Sequence, residues 1–157
     1  MMKVQFWVIG KTTDTYLLPG LNDYLKRLRR YCQFDYIELP AARIGKNATE
    51  IEIKNKEEKA VLEKLQKSDY LILLDARGNE YSSESFASFL SNHQMRGTKN
   101  LIFLIGGAYG FSDHVYKRAD GQFSLSKMTF THQMVRLIFL EQLYRGFTIT
   151  RGEKYHH

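Results

Sequence analysis

At 157 residues, 43% of them hydrophobic and 13% aromatic, the chain can close one sizeable core and is too short for two ordinary domains, so a single domain spanning residues 1–157 is expected. Twenty-three Lys and Arg against 17 Asp and Glu leave a formal charge of +6, which favours an anionic partner, nucleic acid first, over a charge that serves solubility alone. One cysteine, Cys32, excludes an intrachain disulfide framework and a multi-cysteine zinc site, and no apolar run approaches the roughly 18 residues of a membrane span; a cytoplasmic protein is expected.

Lys3 to Gly10 is rich in β-branched and aromatic residues and ends on glycine, the pattern of a buried strand. Leu17, Leu21, Tyr24, Leu25 and Leu28 follow at three- and four-residue spacing and form one apolar helical face. Phe34 to Leu39 reads as a second strand stopped by Pro40, and Ala41 to Asn47 as a loop. Thr49 to Lys67 is a charged amphipathic helix with Ile53, Ala60, Val61 and Leu65 facing inward, and Tyr70 to Leu74 is the most hydrophobic strand, ending at Asp75. Ser82 suits the N-cap of a helix carrying Phe86, Phe89 and Leu90, because its hydroxyl can satisfy an otherwise orphaned backbone N–H. Asn100 to Ile105 is a fourth strand running into Gly106-Gly107, Ser112 to Arg118 a short helix, Gln122 to Leu125 a fifth strand, and Gln133 to Tyr144 a helix apolar over much of its circumference. This alternation predicts an α/β fold: a mostly parallel sheet with helices on both faces.

In open parallel sheets, ligands bind beyond the carboxyl ends of the strands. Three such ends stand out: Leu74-Asp75, Gly106 to Gly110, and Leu125 to Phe130. The glycines allow close backbone approach, yet they match neither the dinucleotide fingerprint nor the phosphate-binding P-loop. Ser124, Ser126, Thr129 and Thr131 around Leu125, Met128 and Phe130 can surround an apolar slot suited to a flat heteroaromatic ring, or can cap the last helix through Thr131.

Arg136 and Glu141 sit on that apolar helix and need partners, across a subunit interface or in water. The helix carries more apolar residues than one face of a small monomer usually buries, which favours a homodimer over deep burial in a monomer. The terminal Tyr155-His156-His157 is either a frayed end or a working tail, with His156 a proton acceptor near neutral pH. Lys26, Arg27, Arg29 and Arg30, joined by Arg43 and Lys46, form a basic cluster that tracks phosphates or is simply a solvated face. No convincing metal-ligand cluster is visible.

Taken together, Val8-Ile-Gly-Lys11, Leu74-Asp75, Ser82-Ser83, Phe103-Leu-Ile-Gly-Gly107, Leu125-Ser-Lys-Met-Thr-Phe-Thr-His-Gln-Met-Val-Arg136, Glu141-Gln-Leu-Tyr-Arg145 and Gly152-Glu-Lys-Tyr-His156 resemble the RlmH family of SPOUT methyltransferases over essentially the whole chain. The resemblance implies an α/β-knot fold with a C-terminal trefoil knot and a knot-mediated homodimer. It implies S-adenosyl-L-methionine as methyl donor, no metal, and N3 of a pseudouridine in 23S rRNA of the assembled 70S ribosome as target. Carried over by motif position, donor contacts fall at Leu74, Gly106, Leu125, Ser126, Lys127, Met128, Thr129 and Phe130. Tyr155 and His156 are expected at the target base, His156 taking the proton or Tyr155 positioning the ring, and Arg136 and Arg145 at the RNA or the developing charge. The chain departs from the family pattern at Thr131 (commonly Pro), Gly146 (commonly Ala) and His157 (usually Lys or Arg). The competing readings are a non-catalytic RNA- or ribosome-binding protein and a SPOUT methyltransferase acting on a different RNA.

Overall fold

The computed structural model describes residues 2–41 and 45–157. Arg43, assigned above to the basic cluster, lies outside the described residues, as do residues 42 and 44 of the predicted 41–47 loop. Strand β1 (Lys3–Ile9), helix α1 (Leu18–Leu28), β2 (Gln33–Leu39), α2 (Glu50–Lys64), β3 (Tyr70–Glu80), α3 (Ser83–Met95), β4 (Asn100–Ile105), α4 (Asp113–Arg118), β5 (Gly121–Ser124) and α5 (Met134–Thr150) alternate along the chain. All five strands pair in parallel, in the order β2-β1-β4-β3-β5. Every strand thus needs a crossover, and the helices that supply the crossovers cover both faces.

Two apolar layers result. On one face Phe6, Phe103, Phe86, Phe139, Leu140 and Leu143 pack under α1, α3 and α5; on the other Trp7, Leu71, Leu73, Ile102 and Leu104 pack against Val61 and Val115 of α2 and α4. The central strands β1, β3 and β4 are buried on both sides, which is why they read as continuous apolar runs rather than alternating ones. Thr49, Ser82 and Ser112 cap α2, α3 and α4, each hydroxyl accepting a backbone N–H three residues on. No described helix is long and apolar enough to cross a membrane.

Two elements outrun their sequence patterns. Strand β3 continues six residues beyond Leu74, through a register shift in which Leu74 and Asn79 both pair with Phe123. Helix α5 continues to Thr150, because Phe147 and Thr148 are buried and extend its packed side past Tyr144.

Candidate active site

Beyond the carboxyl ends of β3, β4 and β5, a pocket of about 190 Å³ is walled by Leu74, Ile105, Phe123, Leu125 and Val135, with Asp75 and Ser126 among its polar members. The segment after β5 folds over it. Ser124 donates from Oγ to the Ser126 carbonyl at 3.0 Å, and the Met128 N–H donates to Ser126 Oγ at 3.0 Å. Those bonds hold Met128, Thr129 and Phe130 along the rim, where Met128 is 79% and Phe130 39% exposed. Six of the eight predicted donor contacts, Leu74, Leu125, Ser126, Met128, Thr129 and Phe130, therefore meet in one lining. Lys127 is exposed and off the lining, and Gly106 borders a separate narrow cleft with Ile9, Glu57 and Phe111.

The β3 bulge sets the charge at the mouth. Tyr116 donates its hydroxyl to Asp75 Oδ2, the Arg77 N–H donates to Asp75 Oδ1 at 2.8 Å, and the Arg77 guanidinium lies 4.7 Å over the Tyr116 ring. Burial pushes the Asp75 carboxyl up, but these hydrogen bonds and the Arg77 charge outweigh it, and its pKa lies below the ordinary value. An apolar slot edged by backbone amides, a serine hydroxyl and a fixed carboxylate fits a ligand that joins a flat ring to hydroxyl groups and a positive centre.

The N-cap of α5 is Gln133, whose side chain makes no cap bond, and Thr131 instead closes the turn leading into the helix. Its Oγ1 accepts the Met134 N–H at 3.1 Å, and its carbonyl the Val135 N–H at 3.0 Å. Next to it, Gln133 and Arg136 stitch α5 to the segment leaving β1. Gln133 Oε1 accepts the Thr13 N–H at 2.8 Å, while its Nε2 donates to the Lys11 carbonyl.

Arg136 neither faces water nor waits for a second chain: it is 2% exposed, and its guanidinium donates to the carbonyls of Ile9, Gly10 and His132 and to Thr12 Oγ1. These hydrogen bonds, with the Glu38 carboxylate 3.8 Å from the guanidinium, explain how a buried charge persists on this helix. Glu141 is satisfied within the chain as well, accepting two hydrogen bonds from Arg145, at 2.6 and 3.1 Å, and one from Tyr155 Oη at 3.1 Å.

The tail is ordered against its own chain. Tyr155 Oη lies 3.0 Å from Tyr24 Oη, and its ring meets Tyr144 edge-on. Burial, followed by the bond to Tyr24 and the Glu141 charge, pushes the Tyr155 hydroxyl upward. Arg145 has only donors, so His156 Nδ1 must accept from it (3.0 Å), which leaves the ring proton on Nε2 to donate to Glu84 Oε1 at 2.8 Å. Glu84, His156 and His157 bring ligand-capable atoms within 4.8 Å of one another. A metal here would have to break one of the two His156 hydrogen bonds. Arg145 lies ten residues beyond the pocket residue Val135 on the same helix, a separation of roughly 15 Å at 1.5 Å per residue. Within one chain, then, the tail and the pocket are apart.

Residues 2–156 match the family model described as a predicted SPOUT methyltransferase. Proteins named "Ribosomal RNA large subunit methyltransferase H" are 54% identical in Cytophaga hutchinsonii, 49% in Flavobacterium johnsoniae and 42% in Bacteroides thetaiotaomicron, each alignment covering 99% of this chain and at least 99% of the relative. The chain belongs to the RlmH family of SPOUT methyltransferases. A solved structure of a probable methylase family protein from Haemophilus influenzae aligns with a TM-score of 0.55 at 10% identity, over 97% of this chain and 69% of that one; this likeness concerns the fold.

Four residues of the pocket lining, Ala76, Ile105, Phe123 and Val135, were not singled out as contacts in the sequence. Ile105 and Val135 carried a signal nonetheless, standing directly before the glycine pair and in the first turn of the last helix. The Asp75–Tyr116 contact, between residues 41 apart, and the Tyr24–Tyr155 pair, 131 apart, had none.

Proposed function

We propose that the protein methylates N3 of a pseudouridine in 23S rRNA of the assembled 70S ribosome, in the cytoplasm, using S-adenosyl-L-methionine and acting as a homodimer. The observation that carries this reading is the convergence of the 123–130 segment, Leu74 and Ile105 on a single pocket at the strand ends of an RlmH-family chain. The names of the full-length relatives support the substrate class.

The donor supplies an already activated methyl on a sulfonium. The chain's task is to orient that methyl in line with N3 and to help N3 lose its proton. Orientation alone is worth roughly 7–11 kcal/mol in favourable systems. Leu74, Leu125 and Val135 would wall the bound donor from water, and the Asp75 carboxylate would favour a positively charged ligand over its uncharged demethylated product.

His156 then accepts the N3 proton while Tyr155 positions the ring, and the Arg145 charge stabilises the anionic base. Arg136 takes a positioning role through the carbonyls it holds, rather than contact with the reacting atoms.

The roughly 15 Å between a chain's own tail and its own pocket supports a shared site, in which each pocket works with the partner's tail. The pocket's size supports the same arrangement, since about 190 Å³ falls short of the roughly 300–1,000 Å³ usual for ligand sites. A second chain would complete it over the exposed Met128 and Phe130 and the half-buried Met134, Leu137 and Ile138. The C-terminal knot belongs to this reading through family membership. Exposed Lys26, Arg29 and Arg30 on and just after α1, with Arg151 over Tyr31, offer phosphate contacts beside the tail.

Calorimetric titration with S-adenosyl-L-methionine tests the donor assignment. One site per chain, weakened by charged replacements of Leu125, is expected; heat of binding unaffected by such replacements would contradict it.

A further inference from the structure

The turn that follows β4 is gripped from behind by α2. A Cβ on Gly107 would stand 2.2 Å from Glu57 Oε1 and 2.9 Å from Glu57 Cδ, so the carboxylate lies directly against the Gly107 backbone. Gly107 is not among the glycines with positive φ, so its backbone would admit another residue, and the space taken by Glu57 is what excludes a side chain. The adjacent Glu58 accepts from Ser112 Oγ at 2.6 Å and contacts His114 Nδ1 at 2.9 Å. Two consecutive carboxylates on α2 thus hold both ends of the 107–114 segment. Between them the Phe111 ring fills the space beside Gly106, 2.9 Å from where its Cβ would be. On the other side of the same turn, Ile105 walls the pocket.

We propose that Glu57 is a positioning residue for the methyl donor: by packing against the Gly107 backbone it fixes the Ile105-Gly106 backbone against the pocket. The inference rests on reading that pocket as the donor site. Glu57 is not among the residues lining that pocket, so its effect falls on affinity rather than on the chemical step.

The test is a double-mutant cycle on the full-length protein, reading S-adenosyl-L-methionine affinity by calorimetry, donor KM and kcat on unmodified ribosomes, and melting temperature. Glu57→Ala should weaken donor binding about tenfold with kcat at saturating donor within about twofold, since misplacing a contact by a fraction of an ångström has effects of that order. Glu57→Gln, which keeps the size and shape of the side chain packed on Gly107, should restore affinity to within about threefold of the wild type. Gly107→Ala should weaken binding in the wild type by displacing the carboxylate and add little in the Glu57→Ala background.

Wild-type affinity in Glu57→Ala, independent addition of the two substitutions, or a kcat loss without a KM rise would overturn the proposal. A wild-type protein that takes up no donor would overturn the donor reading instead. The grip of Glu57 on Gly107 would still be judged by non-additivity in melting temperature, with additive melting shifts counting against it.

Discussion

His156 is held with both ring nitrogens engaged, Nδ1 by Arg145 and Nε2 by Glu84. As a proton acceptor it must exchange one of these contacts for the target base, and none of its present partners touches the pocket lining. His156→Ala should therefore slow single-turnover methyl transfer by roughly 10²-fold or more, the usual worth of a general base, with donor affinity within about twofold of the wild type. Parallel losses in rate and donor affinity, measured by quench-flow and calorimetry, would remove His156 from the proton-transfer role. Cys32 is the opposite case, a residue with chemistry available and none in use. It is 4% exposed, and burial pushes its thiol up to about 12, only partly countered by the Arg151 charge. Because the thiolate is the reactive form, Cys32 should resist alkylation at pH 8 in the native protein and react promptly in denaturant. Rapid native labelling would show that the α1–β2 corner opens.

Helix α5 ties pocket, β1 and tail together, and Gly146 sits at its most crowded point. A Cβ there would lie 2.8 Å from Leu90 Cδ1 and 3.5 Å from Phe86 Cδ2, although alanine at a helix interior is ordinarily worth about 1 kcal/mol over glycine. Leu90 is 1% exposed and cannot swing away freely. Gly146→Ala alone should therefore be neutral or destabilising, whereas paired with Leu90→Val it should regain the helix preference. Urea denaturation checks this, and a plainly stabilised single variant would show that Leu90 yields more easily than its burial implies. What can stand at position 146 thus depends on a residue 56 positions away. Elements of this kind divide what can be read from sequence from what cannot. The strands β1 and β4, the hydroxyl caps at Thr49, Ser82 and Ser112 and the strand-end location of the pocket follow from local pattern. The continuation of β3 through residues 75–80 does not, because polar Asp75, Arg77 and Asn79 become strand only by pairing with β5 and by the Tyr116 contact. The partners of Arg136 were equally hidden: a lone arginine on an apolar helix looks like an interface charge until the chain brings the Ile9 and Gly10 carbonyls to it.

At the scale of the whole molecule, one chain provides a shallow pocket, an apolar strip beside it and a tail roughly 15 Å away, an arrangement that makes sense as half of a shared site. Two inactive variants, one lacking His156 and the other carrying Leu125→Asp in the pocket, should regain activity when co-expressed as a mixed dimer. Mixing should fail if each chain serves its own pocket. The net charge of +6 also suits an anionic RNA-containing partner. The most direct measurement is transfer of labelled methyl from S-adenosyl-L-methionine to 70S ribosomes lacking the modification, with the product nucleotide identified by mass spectrometry. Label on N3 of a pseudouridine in the large-subunit RNA is the predicted result; label on another RNA or base, or none at all, would contradict the account.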